Sequence, residues 1–211
     1  MQVDEAGGTF AAVEHLTGLG HRRIMLVAGT LRFPNDRLKL EGYRRALARH
    51  GLEYDPKLVV EHWEGDMRGV QRSLAAEDRP TAAAVNDDMI TLDVISAAKE
   101  LGLRIPEDLA VVSFGDYLLH SFVKPALTTI SLPIERMGEV AADMLFGQIR
   151  GGDIEQRVVM FEAQLTVRES CGTRLPPSGN KPSPERKGRS WVSRGQQKTG
   201  MPPRKTPEEN R

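Results

Sequence analysis

The chain has 211 residues, of which 39% are hydrophobic and 27% are charged, so it is long enough to bury the core of one domain or of two small ones. No apolar run approaches the roughly eighteen residues of a membrane span, and residues 1–8 lack the basic and apolar zones of a signal peptide. The single cysteine, Cys171, excludes an internal disulfide and a thiolate metal cluster. These patterns predict a soluble, cytoplasmic protein without a membrane partner.

The formal net charge of zero hides a basic C-terminal segment. From Gly172 onward, ten Lys and Arg residues face only three Glu residues, and Pro, Ser and Gly are frequent. Residues 172–211 are therefore predicted to be a disordered, basic, Pro-rich tail. Basic tails attract phosphate groups, so a nucleic-acid contact is the alternative to a solvated extension without a function, and the solvated extension is the favoured interpretation.

Strand and helix patterns alternate along the rest of the chain. Apolar residues at helical spacing alternate with short apolar runs that are typical of buried strands. The order is helix 10–20, strand 23–29, helix 37–51, strand 57–63, helix 67–77, strand 81–85, helix 88–102 and strand 108–115, followed by an extended segment 127–133, an amphipathic helix 134–149 and two strand-like runs within 156–169. Because parallel strands need crossover helices, this order predicts an α/β fold with a parallel sheet flanked by helices.

Polar and aromatic residues follow four consecutive predicted strands, where ligands of open α/β sheets bind. A guanidinium, an amide, carboxylates and an aromatic face suit a polyhydroxylated or anionic small molecule, which needs several directed hydrogen bonds. The residues predicted to bind such a ligand are Arg37, Trp63, Asn86, Asp87 and Asp116.

Each of these residues also has an ordinary structural interpretation. Asn86 and Asp87 are suited to capping the helix that follows them, and taken alone this is favoured over ligand contact. Arg37 is equally compatible with a surface position, Trp63 with an edge aromatic and Asp116 with a loop. The common location at four strand ends is what favours a binding site.

Motifs of catalysis are missing from the sequence. It contains no G-x-S-x-G elbow, no P-loop, no G-x-G-x-x-G after a strand and no H-E-x-x-H, and its five histidines lack metal-ligand spacing. We therefore predict no catalytic residue, no metal and no cofactor. A sugar-processing α/β enzyme is the less favoured alternative, since fold alone does not give function.

Four segments resemble one known family. They are DEAGGTFAAVEHLTGLGHRRIMLVAG from Asp4, DRLKLEGYRRALARHGL from Asp36, RPTAAAVNDDMITLDVISAAKELGLRIPEDLAVVSFGD from Arg79 and KPALTTISLPIERMGEVAADML from Lys124. In this order, residues 3–170 resemble the effector-binding sensor domain of LacI/GalR-type transcriptional regulators. The resemblance implies a periplasmic-binding-protein-like fold of two α/β subdomains with a small effector in the cleft. It also implies effector contacts at Arg37 and Asn86, with Asp87 in the capping turn.

The chain departs from the family pattern at its beginning. The helix-turn-helix DNA reader and the first part of the N-terminal subdomain have no counterpart, so we expect an N-terminally truncated product. By resemblance, residues 23–132 and 153–170 form a near-complete C-terminal subdomain, and residues 1–22 and 133–152 are a remnant of the N-terminal one. Without the sheet of that subdomain, the apolar faces of the two remnant helices are expected to be exposed or to find substitute partners.

Two further departures affect the predicted site. Gly115 stands where many family members carry an effector-binding aspartate, and Asp116 is one residue further on. Either Asp116 replaces that carboxylate through a shifted loop, or the position is vacant and tolerates an anionic ligand such as a sugar acid. Leu132 stands where Gln is common, which removes a possible hydrogen bond near the hinge.

The resemblance implies a ligand-sensing domain that binds a sugar or sugar acid. Operator DNA would be bound only through the missing N-terminal domain, and the full-length protein would be a homodimer. A periplasmic-type sugar-binding protein of a transporter is the alternative, because it shares the fold. The run PALTTISLPIERMG, from Pro125, favours the regulator.

Overall fold

A computed structural model of the chain describes residues 1–62, 65–116, 123–151 and 158–172. In these ranges the helices are α1 (Glu5–Gly18), α2 (Pro34–Arg49), α3 (Arg68–Ala75), α4 (Asp88–Glu100) and α5 (Ile134–Ile149), with a short 3-10 helix at Pro56–Leu58. The strands are β1 (Gln2–Val3), β2 (Ile24–Ala28), β3 (Val59–Glu61), β4 (Ala82–Val85), β5 (Ala110–Phe114), β6 (Thr128–Ser131), β7 (Met160–Phe161) and β8 (Gln164–Thr166).

Six of these strands form one sheet in the order β3-β2-β4-β5-β6-β8. The neighbours are parallel except for β8, which is antiparallel to β6. Every residue of β2, β4 and β5 is buried, as expected for parallel strands covered on both faces. The predicted α/β class, a mostly parallel sheet flanked by helices, is confirmed. A separate sheet is formed by β1 and β7, which pair in parallel over two residues each.

The strands feed two separate cores because their side chains alternate between the two faces of the sheet. Ile24 and Leu26 of β2 pack on the side of α1 and α2, whereas Met25 and Val27 pack with residues of α3 and α4. Tyr43 of α2 is fully buried in the first core, and its hydroxyl donates to the backbone oxygen of Ile24 at 2.8 Å. Burial raises the pKa of this phenol above its ordinary value.

Of the two alternatives expected for the apolar face of α1, exposure or a substitute partner, the structure shows the substitute partner. Val13 and Leu16 have no exposed surface, and Phe10 packs partly buried against the same core. The helix contacts α2 and strands β4, β5, β6 and β8, so residues assigned to an N-terminal remnant pack within the body of the six-stranded sheet. Small residues permit this close approach, since a Cβ at Gly42 of α2 would overlap the carbonyl oxygen of Ala6.

Helix α5 agrees with the expectation of an uncovered helix. None of its residues is buried within the described part of the chain. Its most exposed large apolar side chains are Leu145 and Phe146, each 55% exposed, and Ile149, which is 70% exposed. No helix among the described residues is long and apolar enough to cross a membrane. Of the predicted tail, only Gly172 lies inside the described residues.

Candidate functional site

Asn86 lies at the centre of a polar network at the carboxyl ends of β2 and β4. It follows the last residue of β4, its backbone N–H donates to the Val27 oxygen at 2.9 Å, and only 4% of the residue is exposed. Its side-chain Nδ2 donates to Oδ1 of Asp36 at 3.0 Å, and the other Asp36 oxygen accepts from the Thr30 N–H at 3.1 Å. Asp36 therefore fixes the Asn86 amide against the loop that follows β2.

A buried lysine joins the same network. Lys39 Nζ donates to the Asn86 backbone oxygen at 2.8 Å and lies 4.1 Å from the centre of the Phe114 ring. Lysine is almost never fully buried without a partner. Here the partners come from three directions, because Asn86 follows β4, Phe114 ends β5 and Glu5 begins α1, with its Oε2 at 3.4 Å from Lys39 Nζ.

Glu5 is held near Lys39 as an ion pair with poor hydrogen-bond geometry. Its Oε2 atom is buried and makes no hydrogen bond to any described residue, so the 3.4 Å separation from Lys39 is best described as a charge contact. Burial raises the pKa of the Glu5 carboxyl, Lys39 opposes this shift, and the charges of Asp36 and Asp4 add to it. The pair thus keeps a carboxylate in a poorly solvated position.

Asp87 is the N-cap of α4. Its Oδ1 accepts from the backbone N–H groups of Met89 at 2.8 Å and Ile90 at 3.4 Å, and its backbone oxygen accepts from Thr91 Oγ1 at 2.8 Å. This is the capping role expected of Asp at a helix start. Whether Asp87 also contacts a ligand remains a prediction.

Arg37 and Asp116 are not joined to the Asn86 network. Arg37 is exposed in the first turns of α2, and its guanidinium makes no hydrogen bond or ion pair with the described residues. Asp116 accepts from Arg168 Nη2 at 2.9 Å, while Arg168 Nη1 donates to Leu127 and Thr129. The carboxylate is therefore engaged by a guanidinium from the segment after β8. Trp63 lies outside the described residues.

The backbone gives a reason for the missing aspartate at position 115. Gly115 has a φ of 112°, a conformation that L side chains rarely adopt. An aspartate at this position would be strained in this loop, so glycine suits the local backbone. Its N–H donates to the Ile130 oxygen at 2.9 Å, which ties the end of β5 to β6.

Sequence reasoning missed four residues of this network, which are Asp36 and Lys39 beside Asn86, and Glu5 and Phe114 beside Lys39. A signal for Lys39 was nevertheless present in the helical spacing. Lys39 precedes Tyr43 by four residues and Ala46 by seven, so it lies on the apolar stripe of α2. A lysine on a buried stripe needs partners, whereas Arg37, two residues earlier, lies off that stripe.

A groove of about 400 Å³ adjoins this network. Glu5, Asp4, Asn35 and Leu38 line it together with Met1, Gln2, Val3, Ala6, Pro34, Met137 and Met160. A larger groove of about 620 Å³ runs along the edge strand β3 and α3 towards Arg23 and Pro80. We do not assign the site to this larger groove, because it lies away from Asn86 and none of its lining residues has a buried unpaired polar atom among the described residues.

Comparison with known proteins assigns the chain to a family. Residues 13–171 match the periplasmic binding protein-like domain. The HTH-type transcriptional repressor CytR of Escherichia coli strain K12 is 32% identical over 81% of this chain and 51% of its own length. Among solved structures, the transcriptional regulator CelR–cellobiose complex matches with a TM-score of 0.74 and 32% identity, over 80% of this chain and 52% of that one. A LacI-family regulatory protein from Chloroflexus aggregans matches with a TM-score of 0.74 and 29% identity, over 80% and 62%.

These relatives are transcriptional regulators, which does not favour the solute-binding alternative or an enzyme. The chain spans about half the length of the curated relatives it matches. The chain belongs to the periplasmic binding protein-like domain family and is an effector-binding domain of the LacI/GalR type.

Proposed function

We propose that this chain is the ligand-sensing part of a LacI/GalR-type transcriptional regulator. A small effector, a sugar or sugar acid, binds beyond the carboxyl ends of β2, β4 and β5, and its binding controls transcription. The observation that carries this proposal is the convergence of Asp36, Lys39 and Asn86 at these strand ends. Open α/β sheets bind their ligands at this edge.

The chemistry of the network supports a hydroxyl-rich ligand. Amide, carboxylate and ammonium groups offer directed donors and acceptors at fixed positions, and the adjoining groove of about 400 Å³ lies in the range of small-molecule sites. One structural relative is a complex with cellobiose, and a curated relative is the ribose operon repressor of Haemophilus influenzae. Both names contain a sugar, which is the proposed ligand class.

Five predicted residues keep their proposed roles, and one is added. Arg37 and Asn86 offer a guanidinium and an amide to ligand oxygens, Trp63 an aromatic face, and Asp87 and Asp116 carboxylates. Lys39 joins them as the buried cation that fixes the Asn86 backbone. Neither a metal nor a cofactor is part of the proposal.

We propose the remaining parts of the regulator by analogy with the relatives. Operator DNA would contact a helix-turn-helix domain outside the matched residues, and the full-length protein would be a homodimer in the cytoplasm without a membrane partner. Relatives named as HTH-type repressors support the DNA-binding part of this proposal.

An amide NMR titration of the 211-residue chain with cellobiose, ribose and gluconate tests the effector site. Ligand concentrations up to about 100 mM include weak binding in the millimolar range. We expect saturable shifts for at least one ligand, centred on Asp36, Lys39, Asn86 and Phe114. Shifts that map to the groove beside β3, or no saturable shift with any of the three, would contradict the proposal.

Arg37→Ala tests one of the predicted ligand-binding residues in the same titration. It should weaken binding with little loss of stability, since it removes an exposed guanidinium and leaves the core unchanged. Arg49→Ala is the control at the other end of α2, where the side chain pairs with Glu14 at 3.0 Å. Unchanged affinity in Arg37→Ala together with a large fall in melting temperature would show that Arg37 is structural.

A further inference from the structure

The charge of Lys39 is compensated before any ligand arrives. Its ammonium group lies against the Glu5 carboxylate at 3.4 Å, the Asn86 carbonyl oxygen at 2.8 Å and the face of the Phe114 ring at 4.1 Å. A carboxylate, a carbonyl dipole and an aromatic face all stabilise a cation. Lys39 therefore has no net attraction to offer an incoming anion.

Glu5 is the member of this pair that reaches the groove. It lines the groove of about 400 Å³, whereas Lys39 is not among the lining residues. The Glu5 side chain is 12% exposed, and its Oε2 is a buried acceptor without a hydrogen bond to the described residues. A ligand in the groove meets the exposed part of the Glu5 side chain rather than the buried Oε2, and a carboxylate in a groove wall accepts hydrogen bonds from hydroxyls and repels anions.

Two neighbouring carboxylates carry the same negative charge as Glu5. Asp4 also lines the groove, and its Oδ1 accepts from the Gly7 N–H at 2.8 Å. Asp36 lies behind Asn86, and both charges act unfavourably on the Glu5 carboxylate. Glu5 and Asp4 line the groove, whereas the cations Lys39 and Arg37 do not, so the field in the groove is unfavourable for an anion.

We propose that Glu5 is a specificity-determining residue that makes the site accept neutral, hydroxyl-bearing effectors and reject anionic ones. The inference rests on the proposed effector site and narrows its ligand class from sugars and sugar acids to neutral sugars. Removing the charge of Glu5 leaves Lys39 as a buried cation without its counter-ion, and such a cation recruits an anion from solution. The carboxylate thus occupies the place that an acidic ligand group would take.

Inorganic phosphate is the probe for the first experiment. Thermal unfolding of the full chain and of Glu5→Gln is followed with phosphate from zero to about 10 mM at constant ionic strength. We expect the melting temperature of Glu5→Gln to rise by about 3 °C, as for a ligand of roughly millimolar affinity. The unmodified chain should change by less than about 1 °C.

Two controls separate the site from general salt effects. Glu14→Gln removes a carboxylate from the same helix α1, at a position that is 39% exposed and pairs with Arg49, and should leave the phosphate response unchanged. The double variant Glu5→Gln, Lys39→Met should lose the rise in melting temperature that phosphate produces in Glu5→Gln. Equal stabilisation of the unmodified chain and Glu5→Gln by phosphate, or a response that persists in the double variant, would overturn the inference.

A second experiment needs no variant and distinguishes failure of the Glu5 inference from failure of the proposed effector site. The unmodified chain is titrated with glucose and with gluconate, which differ in the charged carboxylate of gluconate. Gluconate should bind at least about tenfold more weakly than glucose, corresponding to about 1.4 kcal/mol. Gluconate binding as tightly as glucose would overturn the Glu5 inference and leave the effector site standing. Binding of neither sugar, nor of any ligand used above, would overturn the effector site and, with it, the specificity role of Glu5.

Discussion

Helices α1 and α5 are of similar length, 14 and 16 residues, yet they have opposite surroundings. Both have apolar side chains at helical spacing, and for both the sequence left open exposure or a substitute partner. In α1, Val13 and Leu16 are fully buried. In α5 no residue is buried, although the helix contains Leu145, Phe146 and Ile149.

The difference shows that helical periodicity identifies an apolar face without identifying its partner. Helix α1 is covered because its small residues allow close packing. A Cβ on Gly8 would lie 2.8 Å from Phe114 Cε2 and 2.9 Å from Ile130 Cγ2. In contrast, Cβ atoms added at Gly138 and Gly147 of α5 would meet nothing within 4 Å. Tight contact at the glycines is therefore a better mark of a covered helix than its apolar content.

The largest expected contrast comes from truncating one leucine in each helix. Leu16→Ala should reduce the free energy of unfolding by about 2–5 kcal/mol, since it opens a cavity in a packed core. Leu145→Ala should change it by less than about 0.5 kcal/mol, because that side chain is 55% exposed. Urea unfolding followed by circular dichroism measures both. Similar losses for the two variants would mean that α5 is covered in solution.

The same comparison can be tested by adding one methyl group where α2 meets α1 and one methyl group on α5. Gly42→Ala should destabilise the chain by about 1–3 kcal/mol, because the new Cβ overlaps the Ala6 carbonyl oxygen where α2 meets α1. Gly138→Ala should instead stabilise it by about 0.4–1 kcal/mol, since the site is open and alanine is the better helix former. Thermal unfolding distinguishes the two signs. Stabilisation by Gly42→Ala would show that α1 and α2 separate readily.

The alternation of strands and helices could be predicted from sequence because it is locally encoded. The strand predicted at 81–85 is Ala82–Val85, the strand predicted at 108–115 is Ala110–Phe114, and the helix predicted at 88–102 is Asp88–Glu100. Apolar runs and glycine stops depend on neighbours in the chain, and these are visible in the sequence. The elements that cover α1 were not predicted, since they are α2 and strands that are distant in the sequence.

The candidate site was predictable in position and only partly in composition. The strand-end rule placed Asn86 at the correct edge of the sheet. The partners of Lys39 lie 34 residues earlier and 47 residues later, at Glu5 and Asn86. Asp116 pairs with Arg168, 52 residues away. Pairings across such separations are set by the tertiary fold, and a single sequence does not state them.

Self-association offers a third way to separate the helices. The exposed side chains of α5 form an apolar surface, and such surfaces drive association. We expect the 211-residue chain to form oligomers in light scattering, and Leu145→Glu with Phe146→Glu to reduce their mass towards that of a monomer. Leu101→Glu, at a 41% exposed leucine after α4, is the control and should leave the oligomers unchanged. An unmodified chain that is a monodisperse monomer would contradict this prediction.

The smallest effect concerns the carboxyl groups of the two helices and their response to pH. The pKa of Glu5 is raised above 4.5 in the folded chain, chiefly by burial. Below pH 4.5 the carboxyl is neutral in both the folded and unfolded states, and above the raised pKa it is charged in both. Between these limits the folded state binds more protons than the unfolded state. The contribution of Glu5 to stability therefore falls as pH rises.

Glu5→Gln removes this dependence. The stability of the variant relative to the unmodified chain should therefore increase as pH rises from 4.5 through the raised pKa of Glu5. The matched change on helix α5 is Glu139→Gln, at a side chain that is 64% exposed and pairs with Arg136, and it controls for the loss of a carboxylate from an exposed helix position. Urea unfolding at intervals between about pH 4 and pH 8 measures both differences. A relative stability of Glu5→Gln that falls with rising pH would mean that attraction to Lys39 outweighs burial, and that the raised pKa is wrong in sign.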